Sequence, residues 1–329
     1  MEATMPAVVF EQQLMFKEMP VPVPPPGEVL IRPLLAGICN TDIELINGYM
    51  NFSGVLGHEF VGVVHACHAD LPNEVKERWL GQRVVGEINC GCGHCELCAQ
   101  HDPRHCQQRN TLGIDRRNGV FAPFFSLPVE NLLAVPDNVS NEQAVLTEPL
   151  AAAMEILEQV HIKPYYRVAV FGDGKLGQLC ARVLATTSCD LIVIGKHPDK
   201  LKHLEQLGIN VCLLPDWQAD ASYDVVVEAT GSPSGFSASL GSVRSRGTLV
   251  LKSTFASSVT LDLAPIVVRE ITIVGSRCGR FAPALRALER GLIKTAGIIT
   301  AHFPLIQAKE AFELAQSKGA LKVVFDISD

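Results

Sequence analysis

The sequence predicts two fold classes in one chain: an all-β, barrel-like first half, then an α/β half built on a doubly wound parallel sheet. Three observations carry this expectation. The 329 residues are about twice a common domain length of ~150. Up to about Val135 the chain reads as short β-prone runs broken by turns, with no long helical period. From Glu148 onward, apolar runs of strand length alternate with helical stretches, the pattern of βαβ units around a parallel sheet.

In the first half, Ala7–Phe10 and Val29–Ile31 are strand candidates on either side of the proline-rich segment Pro20–Gly27. Proline lacks the amide that a central ladder needs, so that segment belongs at an edge or a turn. Val61–Val64, Arg83–Val85 and Asn131–Val135 are further strands. Pro149–Val160 predicts a helix, and six short apolar strands follow: Arg167–Phe171, Leu191–Ile194, Val211–Leu214, Asp224–Val227, Thr248–Lys252 and Ile271–Val274. Helices near Pro283–Gly291 and Ile306–Ser317 lead to a last strand, Lys322–Phe325, which is surplus to the parallel sheet and is expected to return to the first half.

The first of the six strands runs into Gly172, Gly174 and Gly177, which spell G-x-G-x-x-G around Lys175 and Leu176, ahead of the helix-forming stretch Gln178–Leu184. The glycines allow a tight turn, close approach of a pyrophosphate and helix–strand packing, and the helix N-terminus attracts phosphate. Alone, the motif reads equally well as an ordinary glycine turn. Between a strand and a helix, with five more alternating strands behind it, it reads as a dinucleotide site. The acid that binds a ribose 2′-hydroxyl is expected ~20 residues on, at the end of the second strand. Gly195 stands there, followed by Lys196 and His197. A small residue leaves room for a 2′-phosphate and the two basic neighbours can hold it, so NADP is expected ahead of NAD; a solvated basic turn is the other reading of the pair.

Five of the eleven cysteines fall between Cys90 and Cys106. Cys92, Cys95, Cys98 and Cys106 give C-x2-C-x2-C-x7-C, which can close a tetrahedral zinc site with no open position, a structural site. Cys90, His94, His101 and His105 are left as loop residues. Cys67, Cys180, Cys189, Cys212 and Cys278 are scattered and read as small buried hydrophobes.

Composition narrows the function. Lys+Arg 28 against Asp+Glu 35 gives a net charge of −7, which offers no footprint for nucleic acid or anionic lipid. The longest apolar stretches are broken by charge well short of the ~20 residues a bilayer needs. Met1–Pro6 lacks the basic and apolar regions of an export signal, so a cytoplasmic location is expected.

Two more segments hold candidate ligands: Gly37-Ile38-Cys39-Asn40-Thr41-Asp42 and Gly57-His58-Glu59-Phe60-Val61-Gly62. Taken singly, Cys39 reads as a core thiol and His58 as a loop histidine. Joined to the four-cysteine loop, the glycine motif and Thr147-Glu148-Pro149-Leu150, they resemble the zinc-containing medium-chain dehydrogenase/reductase family, which includes alcohol, sorbitol and threonine dehydrogenases. The resemblance covers essentially the whole chain. It implies a GroES-like β-barrel catalytic domain over 1–148 with a structural-zinc loop at 90–106, a Rossmann domain over 149–280, and a segment 281–329 that completes the catalytic domain.

The resemblance also implies one catalytic and one structural zinc per chain. Cys39 and His58 match the catalytic ligands, Glu59 the acid that ligates or sits just behind them, and Glu148 the third-ligand position. A glutamate there points to the sorbitol and threonine dehydrogenase branch. Asp42 matches the carboxylate that orients the histidine, and Thr41 the hydroxyl of a proton relay. Where several members place a relay histidine, this chain has Glu44, which reads as a proton acceptor or as a plain surface acid. Thr230 and Gly231 match the edge that faces the nicotinamide ribose, and Lys322 matches a basic residue that contacts cofactor phosphate. Members often pair through the sheet edge, here Ile271–Val274, so a homodimer or homotetramer is implied.

Zinc with three protein ligands and an open position lowers the pKa of a bound oxygen, as it lowers that of water from 15.7 to about 7. The expected function is therefore hydride transfer between an alcohol or polyol, or the matching aldehyde or ketone, and a nicotinamide cofactor. Tyr49, Asn51 and Phe52 lie between the two ligand segments, where the pocket would be shaped. The rivals are a zinc-independent quinone or enone reductase, which has no use for Cys39, His58 and Glu148 together, and a non-catalytic zinc protein, which has no need of an intact glycine loop. A zinc-finger DNA binder fails on charge.

Overall fold

The computed structural model of the chain describes residues 3–218, 220–254 and 262–327. The chain divides into two units, one made of Met1–Glu148, Phe281–Arg290 and Ile299–Asp329, the other of Pro149–Arg280 and Gly291–Ile298.

The first unit is built around the strand Glu28–Gly37, which pairs antiparallel with Glu59–Cys67, Phe125–Pro128 and Lys322–Asp326. Lys322–Asp326 in turn lies parallel to Ile299–Pro304, and Arg83–Gly86 and Leu132–Ala134 extend the sheet on the other side. Flanked on both edges, Glu28–Gly37 buries Val29, Ile31, Leu35 and Ala36, which is why its sequence is a nearly continuous apolar run. The last strand thus returns to the first unit, as the sequence leads one to expect. Phe121 packs edge-on against Phe325 at 4.9 Å and Phe60 against Phe125 at 4.7 Å, a geometry that aligns ring edges with ring faces. A smaller sheet joins Gln13–Pro20, Thr4–Glu11 and Gly54–Val55.

The second unit holds six parallel strands, Arg167–Phe171, Asp190–Gly195, Asn210–Leu213, Tyr223–Glu228, Val243–Leu251 and Thr272–Gly275. Across the sheet they run third, second, first, fourth, fifth, sixth, the doubly wound order that places a ligand crevice at the carboxyl ends of the first strands. Ala169, Phe171, Val226 and Leu249 form its core with Phe236 from a covering helix.

The C-terminal portion is shared differently from expectation. Residues 291–298, assigned from the sequence to the first unit, belong to the second. The buried Arg182 guanidinium donates to the carbonyls of Lys294 and Ala296, the latter at 3.2 Å. Gly297 lies so close to His203 that a Cβ would stand 2.7 Å from its ring. Among the described residues no helix is long and apolar enough to cross a membrane.

Candidate active site

The strand Glu28–Gly37 ends where Cys39 caps the helix Asn40–Ile46. The Cys39 amide donates to Asp42 Oδ2 at 2.8 Å, and the Gly57 amide donates to Asp42 Oδ1 at 3.2 Å. One fully buried carboxylate therefore ties together the two segments that carry candidate ligands. Its Oδ1 is also 3.4 Å from His58 Nδ1. Gly57 has φ +94°, and a Cβ there would stand 2.5 Å from the Phe121 ring. Glycine is what lets the chain turn His58 inward beside that ring.

The ligand atoms of Cys39, His58 and Glu59 all lie within 4.8 Å of one another. His58 Nδ1 faces Asp42 Oδ1, and Glu59 Oε1 is buried without a hydrogen-bond partner. Buried polar atoms are rarely left so, and a thiol, an imidazole and a carboxylate converging on one point are the donor set of a zinc ion. Burial alone would push the His58 imidazolium down; the charges of Asp42 and Cys39 outweigh it and hold its pKa well above the usual value.

Lys322 shows a placement the sequence reading did not anticipate. It is 1 % exposed, its ammonium paired with Glu59 Oε2 and donating to the Ile38 carbonyl at 3.2 Å. Burial lowers its pKa, but the negative charges of Glu59, Cys39 and Glu148 prevail and raise it.

Glu148, buried at the start of the helix Thr147–Gln159, is not among the three clustered residues, yet its charge is felt at Lys322. Thr41 Oγ1 lies 3.7 Å from Cys39 Sγ. Glu44 is half-buried.

The thiols of Cys92, Cys95, Cys98 and Cys106 likewise converge within 4.8 Å. A Cβ on Gly91 would sit 2.6 Å from Cys98 Sγ, so the backbone passes directly against the cluster. An amide hydrogen bond from Cys92 pushes the Cys106 thiol down to about 6, while burial pushes Cys98 up to about 11. Four thiols held this close, one of them readily ionised, match a closed tetrahedral site. Cys90 stands outside the group, its thiol pushed up to about 12 by burial.

In the second unit, Gly172 has φ +118°, and a side chain there would overlap the Ala229 carbonyl; one on Gly177 would overlap the Gly172 carbonyl. Gly174 caps the helix Lys175–Ala185, and nothing lies within 4 Å of the place its Cβ would take. A closely packed turn with one open glycine at a helix N-terminus is a cradle for a dinucleotide pyrophosphate. Thr230 donates from its amide and hydroxyl to Glu228 Oε1 at 2.7 and 2.6 Å, and the Gly231 amide donates to Ser253 Oγ at 3.0 Å.

One residue of this site was missed in the sequence. Asp173, inside the glycine motif and 6 % exposed, accepts at Oδ2 from the amides of both Lys196 and His197 at 2.6 Å, and its Oδ1 is 3.0 Å from His197 Nδ1. A Cβ on Gly195 would lie 2.5 Å from Asp173 Oδ2. The space beside Gly195 is therefore filled by the Asp173 carboxylate. The available signal was an acid within G-x-G-x-x-G paired with a glycine at the end of the next strand.

Comparison with known proteins agrees with this geometry. Residues 25–137 match the alcohol dehydrogenase GroES-like domain, and residues 176–291 match the zinc-binding dehydrogenase domain. The chain is 30% identical to an erythritol/L-threitol dehydrogenase of Mycolicibacterium smegmatis over 93% of its own length and 92% of that protein. It is 27% identical to a sorbitol dehydrogenase of Halalkalibacterium halodurans, covering 94% of each. The solved structure of the alcohol dehydrogenase TADH from Thermus sp. ATN1 superposes with a TM-score of 0.86 at 28% identity, over 98% of this chain and 99% of that one. Fold and site together define a two-unit oxidoreductase with a glycine-loop cofactor half. The chain belongs to the zinc-containing medium-chain dehydrogenase/reductase family.

Proposed function

We propose that the chain is a zinc-dependent alcohol dehydrogenase acting on a polyol, and that it moves hydride between a carbinol carbon and a nicotinamide cofactor. The convergence of Cys39, His58 and Glu59 within 4.8 Å, tied from behind by the single carboxylate of Asp42, carries this reading. A zinc ion bound there would supply Lewis acidity to an alcohol or carbonyl oxygen.

Cys39, His58 and Glu59 would hold that ion, with Glu148 the further carboxylate. Asp42 fixes the His58 ring and favours its charged form, so the histidine is restrained before any ligand arrives. The Thr41 hydroxyl, beside the Cys39 thiol, takes the alcohol proton and passes it outward. Lys322 balances the buried charge of Glu59. The turn at Gly172, Gly174 and Gly177 binds the dinucleotide phosphates. The four-cysteine cluster takes a second, structural zinc that holds its loop in shape.

Relatives named for erythritol/L-threitol and sorbitol support a polyol ahead of a simple alcohol. The eleven free cysteines suit a reducing, cytoplasmic setting, and the exposed edge strand Thr272–Gly275 suits a homodimer or homotetramer. The test is to incubate zinc-loaded protein with NAD or NADP and four- to six-carbon polyols, 3-hydroxy amino acids and simple alcohols, following absorbance of the reduced nicotinamide. Turnover of polyols is expected. Turnover only of enones or quinones with reduced cofactor would favour the zinc-independent alternative.

A further inference from the structure

The carboxylate of Asp173 fills the space beside Gly195 at the end of the second strand, where a dinucleotide fold of this kind reads the adenosine ribose. We infer that Asp173 is the cofactor-specificity residue of this chain and makes it select NAD over NADP. The inference rests on the dehydrogenase reading above and names its cofactor.

Three observations support it. First, in a sheet of this order the segment after the second strand, Asp190–Gly195, lies beside the ribose of a dinucleotide whose pyrophosphate sits on the glycine turn. An acid usually rises there from the strand end itself; here Gly195 opens the strand end and Asp173 enters the gap from the neighbouring turn.

Second, the two backbone amides that could cradle a 2′-phosphate at the strand end are already engaged. The Lys196 and His197 amides both donate to Asp173 Oδ2 at 2.6 Å, and His197 Nδ1 is 3.0 Å from Oδ1 and 3.2 Å from Oδ2. A phosphate arriving there would have to displace a carboxylate from two backbone amides and then lie against its like charge.

Third, the same group suits a hydroxyl. A carboxylate only accepts, with about four lone-pair positions. Asp173 Oδ2 is used by two amides, whereas among the described residues the one partner of Oδ1 is the His197 ring. Oδ1 retains an acceptor position for a ribose 2′-hydroxyl. The buried Lys200 lies within the field of Asp173, and the Lys196 side chain is exposed.

The experiment is calorimetric titration of zinc-loaded protein with NAD, NADP, ADP-ribose and 2′-phospho-ADP-ribose, a binding readout that needs no substrate. The unphosphorylated member of each pair is expected to bind at least about tenfold more tightly. In Asp173→Asn, which keeps the shape and removes the charge, the gap is expected to narrow at least fivefold through tighter binding of the phosphorylated ligands. Equal or tighter binding of NADP by the unaltered protein overturns the inference, whether or not any variant folds. A folded Asp173→Asn, judged by its melting curve, that keeps the full gap overturns the assignment to this residue. If none of the four ligands binds, the dehydrogenase reading falls and the inference falls with it; if both dinucleotides bind with NADP ahead, only the inference falls.

Discussion

The ammonium of Lys322 is sealed against the carboxylate of Glu59, with side chains 1 % and 0 % exposed, and Glu59 is in turn clustered with Cys39 and His58. The strand that closes the first unit is thereby coupled, through one ion pair, to the candidate metal centre. Removing one partner of such a pair strands a buried charge, at a cost of about 3–5 kcal/mol. Lys322→Met should lower the urea-unfolding free energy by that order, and adding Glu59→Gln should recover much of the loss. A cost near zero for the single change would refute the pairing. Because the folded pKa of Lys322 is raised, its contribution is fully present below the unfolded lysine value of about 10.4. It is lost only as the pH climbs through the raised value, in strongly alkaline solution.

His58 gives a second pH-dependent outcome. Its pKa in the metal-free protein is raised, so its stabilising effect is complete below the unfolded value near 6.5 and fades as the pH rises through the folded one. A zinc ion needs the neutral ring, so loading zinc near neutral pH must expel that proton. Titration in weakly buffered indicator solution should show proton release that shrinks as the starting pH rises. In Asp42→Asn, which removes the nearest charge, the release should be smaller at neutral pH. Release that does not change with pH would contradict this account.

The expected elements and the actual ones differ for physical reasons that can be named. The alternating strands and the glycine turn were legible because apolar period and turn chemistry are local. Gln13–Pro20 was not, because its residues alternate between partial burial and exposure and its pairing with Thr4–Glu11 supplies what its composition lacks. Residues 291–298 were misassigned because a buried arginine over a hundred positions earlier, Arg182, captures their carbonyls. Asp173, and the pairing of Lys322 with Glu59, were missed for one reason: the motif located each residue, but only its three-dimensional neighbours show which group its charge meets.

The four-cysteine loop should hold its ion independently of the first cluster. Cys98→Ser is expected to reduce bound zinc from about two ions per chain to about one and to lower the melting temperature, since structural zinc contributes directly to folding. Cys90→Ser, outside the group, should leave the zinc content unchanged. Atomic-absorption analysis of the purified variants distinguishes the two.

Gly172 is the glycine whose replacement should be least tolerated. Alanine there would adopt φ +118° and overlap the Ala229 carbonyl, a strain of order 1–3 kcal/mol placed where the cofactor pyrophosphate would lie. Gly172→Ala should lose stability by that amount and bind dinucleotide at least tenfold more weakly. Gly208→Ala also has positive φ but no atom nearby; it should cost stability with no effect on dinucleotide binding. Equal binding losses in both would contradict the role given to the turn.

The central claim is that hydride moves between a carbinol carbon and nicotinamide at the Cys39, His58 and Glu59 cluster. Its most direct test uses a polyol deuterated at the carbinol carbons, zinc-loaded protein and oxidised cofactor, with mass analysis of the reduced nicotinamide, beside Cys39→Ala as the control. The account predicts deuterium on the nicotinamide with the unaltered protein and no reduced cofactor with Cys39→Ala. Labelled cofactor formed equally by both proteins, or cofactor reduced without the label, would contradict it.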